Sequence, residues 1–112
     1  MTRSPRITLQ TLRILSALLQ DDADHYGLAI AKQVQLPVAT VYVVLARLER
    51  AGWLRSEWED IDPVEYERPR RRLYRLTPRG RLEARQARDR AAQSLFPGWQ
   101  PFPSPGPGGS SA

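Results

Sequence analysis

The fold is decided by residues 25–52, which read HYGLAIAKQVQLPVATVYVVLARLERAG. Apolar side chains recur at helical spacing on both sides of Leu36-Pro37, a dipeptide that interrupts a helix. We expect one helix from about His25 to Gln35 and a second over 38–52, where Gly52 supplies the stop. Two helices joined by so short a turn predict a helix-turn-helix unit.

A period-two pattern follows the second helix. The segment WLRSEWED, residues 53–60, alternates apolar or small side chains with charged ones. The segment RRRLYRLT, residues 70–77, repeats the alternation with Tyr74 and Leu76 on one face. Between them DIDPVEYERP contains prolines that exclude a continuous strand, and we expect an open loop there. The predicted fold is therefore mainly α with a small β-hairpin, a winged helix-turn-helix in which the two strands and the loop between them, residues 53–77, form the wing.

Helices are also predicted on both sides of this unit. The N-terminal one covers residues 8–20 with Thr8 as the N-cap, and its apolar arc of about 160° is wide enough to pack on its own domain and on a second body. Thr77-Pro78 begins the C-terminal one, whose small side chains let another helix approach closely. An alanine-rich solvated helix is the alternative. These two helices form the predicted dimer interface, through Leu12, Leu15, Leu19, Ala84, Ala87, Ala91 and Leu95.

Positive charge is concentrated in one stretch of the chain. Residues 68–90 contain ten arginines but only Glu83 and Asp89 as acids, while the whole chain has a net charge of +5. Basic charge gathered in this way is typical of a protein that binds a polyanion, since a solvated surface mixes the two signs more evenly. Arg79 and Arg81 fall in the first turn of the last helix, where positive charge is unfavourable, which indicates a phosphate or an acidic partner nearby.

An acidic run precedes these arginines. Its expected role is to pair with arginines and hold the wing when the polyanion is absent, and repulsion of phosphates at the loop is the alternative. The run consists of Glu57, Glu59, Asp60, Asp62, Glu65 and Glu67.

Several classes of protein are excluded by what the sequence lacks. The absence of cysteine excludes disulfides and thiolate metal sites, and His25, the only histidine, has no partner cluster for a metal. No apolar run approaches the roughly 20 residues that span a bilayer, and no export signal is recognisable, so we expect a cytoplasmic protein without a membrane partner. The carboxylates have no nucleophile or glycine-rich phosphate loop beside them. We therefore expect no catalytic residue, no metal and no cofactor, and hence no enzyme.

The sequence divides into four segments. We expect residues 1–7 to form a flexible N-terminal arm, 8–78 a winged helix-turn-helix DNA-binding domain, 79–95 a dimerisation helix, and 96–112 a disordered Pro/Gly-rich tail. Trp99 in the tail, together with Phe102, is either a short docking motif or one of two occasional aromatic residues in a flexible segment.

Five motifs occur in a distinctive order. They are Tyr26-Gly27, Thr40-Val41-Tyr42, the run 45–53, Trp58-Glu59-Asp60, and Arg70-Arg71-Arg72 leading to Tyr74-Arg75-Leu76-Thr77. In order and spacing they resemble the PadR family of winged-helix transcriptional regulators, particularly its small actinobacterial members, over about residues 8–95. The resemblance implies a homodimer that binds double-stranded DNA at a roughly palindromic operator and represses transcription. It also implies dimerisation through the terminal helices and, as in some members, release by a small aromatic or drug-like effector.

Three departures from the family pattern modify this expectation. Val38 and Ala39 stand where serine and glycine are usual. The helix over residues 38–52 therefore lacks a side-chain N-cap worth about 1 kcal/mol. We expect its first turn to differ from that of the family. Val43 stands where proline is usual. This difference alters the face of the helix 38–52 that is expected to lie in the major groove of DNA. The C-terminal helix is also shorter than the C-terminal domain of the larger subfamily.

Contacts with bases are expected from the helix 38–52. The N-terminal half of a recognition helix lies nearest the base edges, which suits Thr40 for a hydrogen bond and Ala39 and Val43 for thymine methyl groups. Tyr42 is expected to reach a phosphate through its hydroxyl while its ring packs on the domain, and Arg47 suits the backbone or a guanine. Plain surface filling is the alternative for Thr40 and Val43.

Contacts with phosphates or the minor groove are expected from the wing. The candidates are Arg68, Arg70, Arg71 and Arg72. Strand alternation puts Arg70 and Arg72 on one face and Arg71 on the other, unless the wing twists there.

Two further alternatives stay open at this point. The winged helix is otherwise a protein-interaction module whose arginines face an acidic partner. Trp53 and Trp58 either line an effector pocket at a dimer interface, as in some relatives, or pack in the core, which is expected for at least one of them.

Overall fold

The computed structural model describes residues 5–98 of the chain. Two sequence predictions fall wholly or partly outside this range, namely residues 1–4 of the N-terminal arm and residues 99–112 of the tail, with Trp99 and Phe102. The described residues form α1 (Leu9–Leu19), β1 (His25–Tyr26), α2 (Gly27–Val34), α3 (Val38–Arg50), β2 (Leu54–Trp58), α4 (Pro63–Tyr66), β3 (Arg72–Leu76) and α5 (Pro78–Leu95). The predicted winged helix-turn-helix is confirmed.

The ends of the helices follow from local chemistry. The Thr8 hydroxyl accepts a hydrogen bond from the Thr11 amide at 3.2 Å, and the Thr77 hydroxyl accepts one from the Gly80 amide at 2.9 Å, so both predicted caps are present. Within residues 5–98 no side chain caps α3, whose N-cap is Pro37. The predicted lack of a cap is thus confirmed.

A three-stranded antiparallel sheet has the order β1-β3-β2. Five residue pairs join β2 to β3, from Leu54 opposite Leu76 to Trp58 opposite Arg72. The prediction that His25 begins a helix is wrong, because His25 and Tyr26 pair with Tyr74 and Leu73 of β3 and α2 starts only at Gly27.

The loop of the wing, which the sequence predicts to be open, contains a single helical turn, α4. The Asp62 carboxylate accepts a hydrogen bond from the Val64 amide at 3.0 Å, and Pro63 occupies the first helical position. An acidic cap followed by proline favours a helix start even in so short a segment.

The core lies where α1, α2, α3 and the sheet meet, and α5 packs along α1. Its largest fully buried side chains are Ile14, Leu15, Leu18, Ile30, Val41, Leu45 and Leu48. The start of α5 packs closely on the start of the wing at Gly80, where a Cβ atom would lie 1.9 Å from the Trp53 carbonyl oxygen. The same oxygen accepts a hydrogen bond from the Thr77 amide at 2.9 Å.

In the part of the chain that the structure describes, no single helix is long and apolar enough to cross a membrane. Only α2 and α3 taken together have the necessary length and composition, and they meet at a bend of 115°.

Candidate nucleic-acid interface

Helix α3 presents two chemically different faces. Val41, Val44, Leu45 and Leu48 are buried against the core, as the apolar spacing predicts. The opposite face is open to solvent: Ala39, Val43, Ala46, Arg47 and Arg50 are exposed and Thr40 is half-buried. Val43 is 52% exposed. The structure therefore leaves free the face that the sequence assigned to the major groove.

Tyr42 lies at the edge of this face and packs on the first residue of α2. A Cβ atom on Gly27 would lie 2.5 Å from the Tyr42 ring, so the ring occupies the space that any larger residue at position 27 would need. The Tyr42 side chain is still 43% exposed. The predicted packing of its ring on the domain is confirmed, and the role of its hydroxyl stays a prediction.

A cleft of about 310 Å³ separates α3 from the wing. Tyr42 lines one side of it and Arg68, Arg70 and Arg71 line the other. The remaining lining residues are Tyr26, Leu28 and Pro69. The fold thus gathers three of the four predicted wing arginines and one residue of α3 around a single opening.

Arg68 is already paired within the chain. Its guanidinium donates to both oxygens of Glu59, at 2.6 Å from Nη1 and 3.0 Å from Nη2. These hydrogen bonds are the main reason that the pKa of Glu59 falls to about 2, and the same bonds raise the pKa of Arg68. The Arg71 amide adds a third hydrogen bond to Glu59 at 3.2 Å. The acidic run therefore holds the wing at Glu59, as expected.

Arg70 and Arg72 do not share a face. Strand β3 begins only at Arg72, so Arg70 lies before the strand, where strand alternation does not apply. Arg70 donates through Nε to the Ile61 carbonyl at 2.9 Å, and Arg71 stacks 4.2 Å from the centre of the Tyr26 ring. Both line the cleft, and the prediction that Arg71 points away from Arg70 is wrong.

Arg72 belongs to a different set of contacts, which join the wing to α3. Its guanidinium lies 5.0 Å from the Trp58 ring, and its Nε donates to the Ser56 hydroxyl at 3.1 Å. The Ser56 hydroxyl in turn donates to Glu49 of α3 at 2.6 Å. Arg72 is therefore linked to α3 through this chain of hydrogen bonds.

The positive charge at the start of α5 has an acidic neighbour inside the chain. Arg81 Nη2 lies 3.3 Å from the Asp22 carboxylate and donates to the Asp21 carbonyl at 3.1 Å. These contacts account for Arg81 without a phosphate or a partner protein. Arg79 remains exposed.

The predicted dimer residues divide into two groups. Leu15, Ala84 and Ala87 are 1%, 0% and 8% exposed within one protomer, because α5 packs its small side chains against α1. A second subunit could contact Leu15 or Ala84 only if α5 moved away from α1. The prediction that these two residues form the dimer interface is therefore wrong. The others lie at or near the surface: Leu12, Leu19 and Ala91 are half-buried and Leu95 is 72% exposed.

The two tryptophans that could line an effector pocket differ in their burial. Trp53 is 3% exposed and belongs to the core, as expected for at least one of them. Trp58 is 62% exposed and stacks with Arg72 on the wing.

Tyr26 and Leu28 are cleft residues that the sequence reading missed. Tyr26 falls within the helix that the sequence predicts from about His25 to Gln35, where no cleft is expected. The pairing of His25–Tyr26 with β3 turns Tyr26 towards Arg71 instead. The only local signal was the tyrosine itself, a strand-favouring residue before glycine.

Three solved structures illustrate the similarity to known proteins. The disulfide form of AbfR is 25% identical with a TM-score of 0.62, and the match covers 81% of this chain and 57% of AbfR. The PcaV transcriptional regulator of Streptomyces coelicolor is 26% identical with a TM-score of 0.60, and 85% of this chain matches 64% of PcaV. AF1382 of Archaeoglobus fulgidus is 23% identical with a TM-score of 0.63, and the match covers 79% of this chain and 90% of AF1382. At this identity the similarity shows a shared fold alone. The chain thus spans less than two thirds of AbfR and PcaV.

The family is established by sequence. No curated protein matches the chain. The model of the transcriptional regulator PadR-like family matches residues 14–86, which include α2, α3, the wing and the first half of α5. The chain therefore belongs to the PadR-like family of transcriptional regulators.

Proposed function

We propose that this chain binds double-stranded DNA as a homodimer and represses transcription from a palindromic operator. In each subunit α3 enters the major groove and the cleft beside it contacts the phosphate backbone. One observation carries the proposal: Tyr42 meets Arg68, Arg70 and Arg71 around one cleft next to the exposed face of α3. Arginine and tyrosine are typical phosphate-contacting side chains, and phosphate contacts fix how a recognition helix sits in the groove.

Base recognition in this proposal rests on small contacts. Ala39 and Val43 are exposed and offer methyl groups to thymine, and Thr40 offers a hydroxyl. The outer face of α3 carries no charge before Arg47, so most of the affinity comes from the arginines and from the pairing of two subunits.

The dimer is proposed to form through the exposed parts of α1 and α5. Leu9 near the start of α1 and Leu95 at the end of α5 are both 72% exposed, and Phe96 is 64% exposed. Leu12 and Ala91 line one opening together with Leu9, and Leu95 lies about one helical turn after Ala91. A two-fold dimer presents two copies of α3, which explains why the operator would be palindromic.

Two relatives support these proposals by what they bind. Reduced AbfR has been solved bound to DNA, and PcaV has been solved with its natural ligand. We accordingly propose that a small-molecule effector releases this chain from DNA.

The test is a binding titration with a palindromic duplex, taken from a promoter fragment that binds the protein. A scrambled duplex of the same length is the comparison. Thr40→Ala and Val43→Ala are expected to reduce the preference for the palindrome by about tenfold, because each removes a base contact. Arg85→Ala, an exposed arginine of α5 outside the cleft, is the matched control. Equal binding of both duplexes by the unaltered protein would contradict specific recognition.

An interaction module for an acidic protein is the second candidate, because a cleft lined by arginines also accepts carboxylates. Competition with heparin separates the two functions, since heparin carries dense negative charge without bases. If heparin displaces the palindrome as readily as it displaces a scrambled duplex, the second candidate gains. If the palindrome resists heparin more strongly, DNA recognition is supported.

A further inference from the structure

The far end of the wing presents apolar side chains to solvent. We call residues 60–67 the wing tip. Val64 is 84% exposed and Tyr66 is 55% exposed, and both lie on the single turn α4. The start of this turn is fixed, because Asp62 caps it through the Val64 amide at 3.0 Å and Pro63 occupies its first position. The wing tip therefore holds two large side chains at defined positions and leaves them open to contact.

The charges of the wing tip disfavour DNA as its partner. None of residues 60–67 is basic, and the acids among them are all exposed, namely Asp60, Asp62, Glu65 and Glu67. Within residues 5–98, the only member of the predicted acidic run that forms an ion pair is Glu59, which lies outside the tip. Carboxylates repel phosphates, so these acids favour a basic protein surface as the partner of Val64 and Tyr66.

A surface of complementary charge lies on α5 of the same chain. Leu82 is 55% exposed, and Arg79 and Arg85 stand three residues before and after it, so that each adjoins it on one face of the helix. Both arginines are exposed, and the ion pairs found within residues 5–98 include neither of them. We call these three residues the α5 patch. Each surface thus combines an exposed apolar side chain with charges of one sign, acidic at the wing tip and basic on the α5 patch.

The two surfaces lie near opposite ends of the wing. The residue pairs that join β2 to β3 run from Leu54 opposite Leu76 to Trp58 opposite Arg72. The α5 patch follows the Leu76 end, because α5 begins at Pro78, whereas the wing tip lies beyond the other end. Four steps along the strands separate the two ends by about 14 Å. The wing tip of one protomer therefore cannot rest on its own α5 patch, and the contact requires a second copy.

We propose that the wings of two neighbouring dimers lie side by side in opposite directions, with the wing tip of each on the α5 patch of the other. Val64 then contacts Leu82, and the acids of the tip face the arginines of the patch. The contact is two-fold, since both protomers contribute the same two surfaces. It also accounts for Arg79, whose charge in the first turn of α5 is otherwise unfavourable.

The small size of the contact defines when it matters. Two short surfaces of this kind are too small to join free dimers strongly. DNA that carries two operators holds two dimers next to each other, and the contact then forms at a high effective concentration. The consequence is cooperative binding to paired operators. This consequence rests on the proposed function, whereas the contact itself does not.

The first experiment measures disulfide formation between copies of the full chain without DNA. The chain contains no cysteine, so Val64→Cys and Leu82→Cys each introduce a single thiol, at an exposed position in both cases. Mixed under oxidising conditions, the two variants should cross-link about tenfold faster than Val64→Cys mixed with Ser94→Cys, because the contact raises the effective concentration of the thiols. Ser94 is the control because it is exposed on α5 but turned about 120° away from Leu82.

Charge reversal tests whether the two surfaces recognise each other. Glu65→Arg in the Val64→Cys chain should slow the cross-link, and Arg85→Glu in the Leu82→Cys partner should restore it, because the signs are then exchanged. Glu57→Arg is the matched control, since it makes the same change on β2 outside the wing tip. Light scattering should show that the cross-linked particle has twice the mass of the particle without the cross-link.

Four results would overturn the proposal. Ser94→Cys could cross-link as fast as Leu82→Cys, or the paired charge reversals could fail to restore the reaction. A cross-linked particle of unchanged mass would place the contact inside one dimer. Protection of the Val64→Cys thiol from alkylation by a duplex with one operator would make DNA the occupant of the wing tip.

The second experiment compares a duplex carrying one operator with duplexes carrying two, at spacings that cover one helical turn. At the best spacing we expect the second dimer to bind about tenfold more tightly than the first, within the usual range of coupling between sites. Glu65→Arg and Arg85→Glu should each remove this difference, and the chain with both changes should regain it. Binding without cooperativity at every spacing would overturn the role of the contact on DNA. If the protein binds no DNA at all, the proposed function fails, and the cross-linking experiment still decides whether the two surfaces meet.

Discussion

Glu59 and Arg68 face each other across the wing in a paired hydrogen bond, with Nη1–Oε1 at 2.6 Å and Nη2–Oε2 at 3.0 Å. The backbone amide of Glu59 also donates to the Arg71 carbonyl at 2.8 Å, and the Arg71 amide returns a bond to the Glu59 carboxylate. One carboxylate thus ties the end of β2 to the residues that enter β3. The geometry of the cleft depends on this tie, because Arg68 and Arg71 both line it.

The first prediction concerns pH. The pKa of Glu59 is lowered from 4.5 to about 2 in the folded protein, chiefly by the hydrogen bonds from Arg68. A carboxylate with a lowered pKa stabilises the fold above its unfolded pKa, and this stabilisation is lost as the pH falls towards the folded pKa. We expect Glu59→Gln to lower the urea midpoint at neutral pH, and the difference from the unaltered protein to shrink between pH 4.5 and about 2.

Glu57→Gln is the matched control for this measurement. Glu57 lies on β2, two residues before Glu59, and is exposed. Its replacement should leave the urea midpoint nearly unchanged at both ends of the pH range. A loss in Glu57→Gln as large as that in Glu59→Gln would mean that net charge, and not the bond to Arg68, stabilises the wing.

The second prediction concerns Gly27. Alanine there would bring its Cβ within 2.5 Å of the far end of the Tyr42 side chain, which can rotate away. We expect Gly27→Ala to fold normally but to weaken DNA binding by about fivefold, because Tyr42 no longer lines the cleft. Fluorescence anisotropy with a labelled duplex measures the affinity. In a Tyr42→Ala background the same change should cost nothing further, and an additional loss there would show that Gly27 acts without Tyr42.

The third prediction concerns Gly80, where the obstacle is rigid. A Cβ atom there would lie 1.9 Å from the Trp53 carbonyl oxygen and 2.6 Å from its carbon, both backbone atoms. Gly80→Ala must therefore push α5 away from the wing, and we expect the free energy of unfolding to fall by about 3 kcal/mol. Urea denaturation measures it, with the exposed neighbour Arg79→Ala as the control. An unchanged midpoint in Gly80→Ala would mean that α5 begins differently in solution.

These glycines also illustrate what sequence reasoning could and could not reach. The helices, the wing and the buried face of α3 follow from spacing along the chain, because each is encoded by neighbours in sequence. The strand His25–Tyr26 does not follow from spacing, because two residues are too few to show an alternating pattern. Their partners also lie on β3, far along the chain. A close approach between α5 and the wing at Gly80 is likewise non-local.

The candidate site shows the same division. The sequence selected the right arginines of the wing but misjudged their faces, because Arg70 lies just before the strand whose alternation was applied to it. Ala84 was read as a contact for another subunit because small residues allow any helix to approach. The helix that approaches it belongs to the same chain. A stripe of small residues predicts close packing without identifying the partner.

The fourth prediction separates two arginines of the cleft by the salt dependence of DNA binding. Arg70 donates only to a carbonyl oxygen, whereas the charge of Arg68 is already compensated by Glu59. We expect Arg70→Ala to lower the log–log slope against salt by about 1, the value for one phosphate contact, and Arg68→Ala to lower it less. Titrations of one duplex at several salt concentrations give the slopes. A larger change in Arg68→Ala than in Arg70→Ala would mean that DNA displaces Glu59 from Arg68.

The fifth prediction concerns the dimer. Leu95 and Leu82 are both exposed on α5, but thirteen residues at 100° per residue put them on nearly opposite sides of the helix. Leu95 lies about one helical turn after Ala91, and Ala91 lines an opening with Leu12 of α1, where the proposed partner docks. Leu95→Glu should therefore convert a dimer into a monomer at micromolar concentration, and Leu82→Glu should not.

Light scattering coupled to gel filtration measures both variants, and DNA titration shows what dimerisation contributes. A monomer carries one copy of α3 and contacts one half-site, so Leu95→Glu should lose most of the preference for a palindrome while keeping its salt-dependent binding to any duplex. If Leu82→Glu dissociates the dimer instead, the interface lies on the other side of α5. An unaltered protein that is monomeric at micromolar concentration would remove the dimer from the proposal, and operator recognition would then rest on the contacts of a single α3 and wing.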